Sequence, residues 1–142
     1  MISKLLDAVT KQLGMTFGDK YHYYVEDVNQ GLTKPCFTVN PLIQLQRSKL
    51  VNLYDLTIPI VIHYFTDNHT NMKTECCSVA EQVLDCLEYL PFENTLLGSE
   101  DISWQITDDV LQIFVTYKLT TIKHGDDEDM EVLIETNIST TD

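Results

Sequence analysis

Four histidines and four cysteines are the side chains in this sequence best suited to chemistry, and their spacing decides what they can do. His22, His63, His69 and His124 fall in four separate segments, none with a second histidine or a cysteine at the i+3 or i+4 spacing of a helical metal site. Cys36 stands beside Phe37, Cys76 and Cys86 fall near an apolar helical stripe, and Cys77 follows Cys76 directly. That pattern predicts three buried thiols and one partly exposed one, with neither a disulfide framework nor a zinc knuckle. The run Asp126, Asp127, Glu128, Asp129 offers hard oxygen ligands but lacks the alternating acids, central glycine and closing glutamate of a calcium loop. It reads either as a docking surface for a basic partner or as a solvated loop. No glycine-rich phosphate loop, Ser-His-Asp set or paired-carboxylate motif is visible. The expectation is a protein that is not an enzyme and carries no cofactor and no metal.

The elements that would hold these residues follow from periodicity. Tyr54, Leu56, Ile58, Ile60, Ile62 and Tyr64 recur at every second position, the signature of a strand with one buried face. Leu53 to Phe65 is therefore read as the central antiparallel strand. Its other face, with Pro59, Val61, His63 and Phe65, is too apolar for plain solvent and is a candidate contact surface between copies.

Before it, Lys4 to Leu13 has a helical stripe, with Ser3 as cap and Gly14 as the expected stop. Tyr21 to Val25 alternates as a first strand, and Val28 to Pro35 is a turn. Cys36 to Leu50 places Phe37, Val39, Ile43 and Leu45 on one parity. Pro41 cannot donate to a ladder, so this second strand is expected at an edge and bulged or broken near Pro41. After the loop Thr66 to Lys73, Thr74 is expected to cap a helix from Glu75 to Leu90 that Pro91 ends. Phe92 to Ser99 reads as a loop, and Ile102, Trp104 and Ile106 as a strand. Asp108-Asp109 is a tight turn, and Leu111 to Leu119 a last long strand.

The expected fold is α+β, a mainly antiparallel sheet of about five strands in the order α-β-β-β-α-β-β with two helices packed on it. One domain is expected over residues 1–142, with an acidic loop at 125–131 and a possible terminal strand at 130–137. A chain of 142 residues can bury a sufficient core without disulfides.

Charge is unevenly placed. Residues 1–74 hold seven Lys/Arg and six Asp/Glu, whereas residues 75–142 hold two and sixteen, for a net charge of −13. Such a field repels nucleic acid and anionic membrane, so neither is an expected partner. Lys34, Arg47 and Lys49 bracket the second strand. A basic first half meeting the acidic second half of a neighbour is a head-to-tail contact, and such contacts close into rings or run on as filaments. No apolar run reaches membrane-spanning length, and the N-terminus opens on an amphipathic pattern, so an unexported chain in a reducing cytoplasm is expected.

Val28-Asn29-Gln30-Gly31-Leu32-Thr33-Lys34-Pro35-Cys36-Phe37 resembles a segment typical of the tail terminator proteins of tailed phages and prophages of Gram-positive bacteria. Ile62-His63-Tyr64-Phe65 and Val110-Leu111-Gln112-Ile113 with Tyr117 are similar to other recurring pieces of that family. The resemblance covers nearly the whole chain in matching order. It implies a structural virion protein forming a ring, usually of six copies, on the end of the tail tube. That ring would stop tube polymerisation, present a surface to the head-completion (connector) proteins and, in contractile tails, meet the last sheath ring. Gln30, Gly31, Leu32 and Lys34 then join Arg47, Lys49 and the acidic run as candidate interface residues. Location in the virion tail, and in the host cytoplasm during assembly, follows from the same resemblance. A small acidic secretion chaperone, a two-fold dimer binding extended effector segments, shares the length and element order and is the competing expectation.

Overall fold

The computed structural model describes residues 2–25, 31–123 and 130–133. Two helices cover one face of a mainly antiparallel sheet, so the architecture is α+β. Strand count and order depart from the expectation: eight strands occur among the described residues, not about five. In chain order the elements are α1 (Ile2–Phe17), β1 (His22–Val25), β2 (Cys36–Pro41), β3 (Leu45–Leu50), β4 (Leu53–Phe65), α2 (Met72–Leu87), β5 (Tyr89–Phe92), β6 (Thr95–Thr107), β7 (Val110–Lys123) and β8 (Met130–Leu133).

The sheet runs β1-β2-β4-β7-β6-β5, with β3 also paired to β4 and β8 to β7. β4 occupies the middle. Its C-terminal half pairs β2, with Phe37 opposite Tyr64, and its N-terminal half pairs β3, with Gln46 opposite Leu56. Along its other side β7 follows it from Leu53↔Ile122 to Tyr64↔Leu111. Every second residue from Leu56 to Tyr64 is buried, as the alternation requires. Leu111, Ile113, Val115, Tyr117 and Leu119 of β7 face the same core. Full burial of each aliphatic side chain in this layer contributes about 1.5–3 kcal/mol.

Several boundaries differ from the sequence reading for identifiable reasons. Helix α1 does not stop at Gly14; it continues a turn to Phe17. Gly18, at φ +81°, makes the left-handed cap, its N–H donating to the Gly14 carbonyl at 2.9 Å. The extension seats Phe17 against Phe37 and Tyr21, with ring centroids 4.9 and 5.4 Å apart. Helix α2 starts at Met72, not Glu75, because Asn68 folds the preceding loop. Its Oδ1 accepts the Thr70 and Asn71 N–H groups and leads the chain into the first turn.

The segment Cys36–Leu50 is two strands, and β2 is interior, flanked by β1 and β4. Pro41 ends β2 at the point where the ladder with β4 gives out. Only β3 is an edge there. Ile43 and Leu45, expected on the buried parity, are 80% and 65% exposed. β1 pairs β2 in parallel, the one departure from antiparallel pairing among the described strands.

Tyr89–Phe92, assigned partly to the helix and partly to a loop, forms β5. Leu90 and Phe92 are buried at strand parity, and a turn with Glu93 and Asn94 at positive φ carries the chain into β6. The Asp108-Asp109 turn has φ of 52° and 63°, the left-handed pair of a type I′ hairpin, as the dipeptide suggested. Gln30, the acidic run Asp126, Asp127, Glu128 and Asp129, and residues 134–137 lie outside the described residues.

The helices are fixed by polar contacts as well as by packing. The last carbonyls of a helix have no partner of their own. In α2 the Tyr117 hydroxyl donates to the Leu87 carbonyl at 2.6 Å, and Gln12 Nε2 of α1 donates to the Cys86 carbonyl at 3.1 Å.

Candidate interaction surfaces

β3 and its connections form an arm on the edge of the sheet. All six of its residues are exposed, and none meets a strand on its outer side among the described residues. The arm turns into β4 through Val51 and Asn52, the latter at φ 66°. It is apolar at both ends: Leu42, Ile43 and Leu45 stand at its start, Leu50 and Val51 at its tip, with Val51 90% exposed. Between them lie two cations. Arg47 is in register with Asp55 of β4, and Lys49 Nζ approaches Asp55 Oδ1 at 3.8 Å. That same oxygen accepts the Thr120 hydroxyl at 2.8 Å, which holds the carboxylate against the sheet.

The opposite end of the sheet carries the reverse charge. Residues 93–109 include Glu93, Glu100, Asp101, Asp108 and Asp109 and no Lys or Arg. β5 covers β6 only over Thr95–Gly98, so the Asp101–Thr107 stretch has β7 on one side and no strand on the other among the described residues. Leu96, Trp104 and Tyr89 are exposed apolar side chains in this region. The Glu100 carboxylate accepts from Lys118 Nζ at 2.8 Å, and that contact raises the pKa of the lysine.

The predicted residues divide into separate groups. Lys34 and Phe65 line one hollow of about 360 Å³ with Thr66, His69, Met72, Asp108, Asp109 and Val110. Gly31, at φ +78°, and Leu32 precede Lys34 and stand exposed and half-buried. On the outer face of β4, Pro59, His63 and Phe65 are half-buried, and Val61 is only 7% exposed. The His63 and Phe65 rings lie nearly parallel with centroids 6.2 Å apart. Arg47 and Lys49 stand at the other end of β4, opposite Asp55, and are not part of this group.

Sequence reasoning picked out the cations of the arm but missed its apolar ends and the Asp101–Thr107 edge. The available signal was the polar stretch Gln44 to Lys49, which has too little apolar content for a two-sided strand and marks an edge.

The reactive side chains occupy structural positions. Cys36 and Cys76 are buried, Cys86 is half-buried and Cys77 exposed, and burial raises the thiol pKa of Cys36, Cys76 and Cys86. Such thiols are inert. Among the described residues no three His, Cys, Asp or Glu side chains come together in a metal-binding group. The Glu75 carboxylate, at the start of α2, accepts hydrogen bonds from Tyr64 and Thr66. It joins helix to sheet instead of facing an open cleft.

Comparison with known proteins places this geometry in context. Residues 4–129 match the family model described as phage tail terminator protein. No curated protein matches the sequence. One solved structure aligns over 89% of this chain and 95% of its own at 8% identity, with a TM-score of 0.43, too slight a likeness to carry an argument.

Proposed function

The chain belongs to the phage tail terminator family, and from that premise we propose that it forms a ring on the end of the tail tube and ends tube polymerisation there. A structural role in the phage tail follows from the family itself. The ring, proposed as six copies, offers one face to the tail tube protein and the other to the head-completion proteins. In a contractile tail its rim also meets the last sheath ring. The protein acts by occupying a surface, without chemistry, first in the host cytoplasm and then in the virion tail.

The observation that carries this reading is the family match over residues 4–129. Unlike surfaces at the two ends of the sheet support it, because a head-to-tail contact needs two different patches on each copy. The experiment is to add purified protein to growing tail tubes and image them by negative stain, with light scattering on the protein alone. Capped tubes of fixed length are expected. A strict two-fold dimer under all conditions, with no effect on tubes, overturns the reading and favours a chaperone.

A further inference from the structure

We propose that the β3 arm of one copy docks along the Asp101–Thr107 edge of β6 in the next copy, so that the sheet continues from subunit to subunit. This inference rests on the ring reading and names its contact.

Three observations carry it. Both edges are unpaired among the described residues, and they lie at opposite ends of the array β3-β4-β7-β6. An unpaired edge displays backbone donors and acceptors to any strand that approaches. A protein that keeps its edges apart covers or charges them throughout, whereas this arm carries Ile43 at 80% and Val51 at 90% exposure at its two ends.

Charge selects the partner. Residues 42–53 contain Arg47 and Lys49 and no acid, and residues 93–109 contain five acids and no base. Arm against arm would set Arg47 and Lys49 against their own copies, and edge against edge would do the same with Glu100 and Asp101; like charges across a strand pair are destabilising. Arm against edge is the pairing in which both the charges and the apolar groups match. Trp104, partly exposed, supplies apolar surface on the receiving edge. The contact is heterologous, so its repetition closes a ring when the rotation between neighbours closes and runs on as a filament when it does not; the ring reading requires the first.

The test is a charge swap. The variant R47E/K49E gives up the Lys49–Asp55 ion pair and sets an acid opposite Asp55, so its melting temperature is expected to fall by a few degrees while its circular dichroism spectrum is retained. The concentration it needs for half-assembly, read by light scattering and by tube capping, is expected to rise about tenfold or more. Adding E100K/D101K to the same chain gives up the Glu100–Lys118 bridge, so folding is checked first; in the folded protein assembly is expected to be restored, because arm and edge are again opposite in sign. Assembly of R47E/K49E at the wild-type concentration overturns the proposal, as does failure of a folded quadruple variant to recover. A wild-type chain that neither forms rings nor caps tubes overturns the ring reading, and this contact with it. The apolar part is checked by I43S/V51S, expected to fold normally and assemble weakly; unaltered assembly overturns it.

Discussion

The Tyr64 hydroxyl donates a hydrogen bond to the Glu75 carboxylate, tying the end of the central strand to the first turn of α2. Thr66 donates to the same oxygen at 2.6 Å, and its own hydroxyl accepts the Asn68 N–H at 3.0 Å. Burial alone would raise the Glu75 pKa, but hydrogen bonds from Thr66, Tyr64 and Asn68 outweigh it and hold the carboxyl below its ordinary value. A carboxylate in the first turn also meets the positive end of the helix dipole.

Acid should therefore loosen this junction. A group whose folded-state pKa lies below its unfolded value adds stability that is complete above the unfolded pKa and is lost as pH falls through the folded one. Denaturant melts from pH 7 down to pH 3 are expected to show this loss, and E75Q should be less stable at neutral pH with a shallower acid slope. Equal slopes for E75Q and wild type would show that the carboxylate contributes nothing. Y64F, which removes one donor to a charged acceptor, is expected to cost about 1–3 kcal/mol at pH 7.

At the other end of α2, Tyr117→Phe leaves the buried Leu87 carbonyl without its 2.6 Å donor. A loss of about 1–3 kcal/mol is expected by chemical denaturation, with little change of packing, because the ring itself is retained. Burial raises the Tyr117 phenol well above its ordinary pKa, which favours the protonated donor.

Two glycines four residues apart should respond with opposite signs. Gly14 lies inside α1 with open space where a Cβ would go, so Gly14→Ala is expected to stabilise by about 0.5–1 kcal/mol. Gly18 has equal room but sits at φ +81°, so Gly18→Ala is expected to destabilise by about 1–2 kcal/mol. Thermal melts of the two single variants check both signs at once. The same sign in both would place the end of the helix elsewhere.

Two isoleucines separate core from arm. Ile60 is fully buried between the helices and the sheet, and Ile60→Ala is expected to cost about 2–5 kcal/mol. Ile43→Ala should change monomer stability by no more than about 0.5 kcal/mol, since its side chain stands in solvent. Equilibrium unfolding at low protein concentration measures the difference.

The contrast shows what the sequence reveals about this fold. β4 and β7 were legible because every second residue from Leu56 to Tyr64 and from Leu111 to Leu119 is an apolar, buried side chain. β5 was hidden: Leu90 continues the Val83, Leu87 period of α2 and also fits a strand, and four residues are too few to break the tie. The exposure of Ile43 could not be read from parity, because β3 has no buried face and so no alternation to detect. The parallel pairing of β1 with β2 depends on where α1 directs the chain, a tertiary property absent from either strand. For the interaction surfaces, charge pointed to Arg47 and Lys49, but the edges themselves exist only once the strand order is known.

The register of β4 on β7 also bears on how the chain reaches its fold. Asp55 and Thr120, hydrogen-bonded across these strands, are 65 residues apart in sequence, so the largest ladder closes only after most of the polypeptide has left the ribosome. Until then β4 can pair with β3, its hairpin neighbour, and with β2, while its other edge waits for β7. Long-range closure of this kind slows folding and leaves a sticky strand exposed during synthesis. A nascent chain truncated before Val110 is therefore expected to engage chaperones and precipitate, whereas one extending past Lys123 is expected to be released soluble.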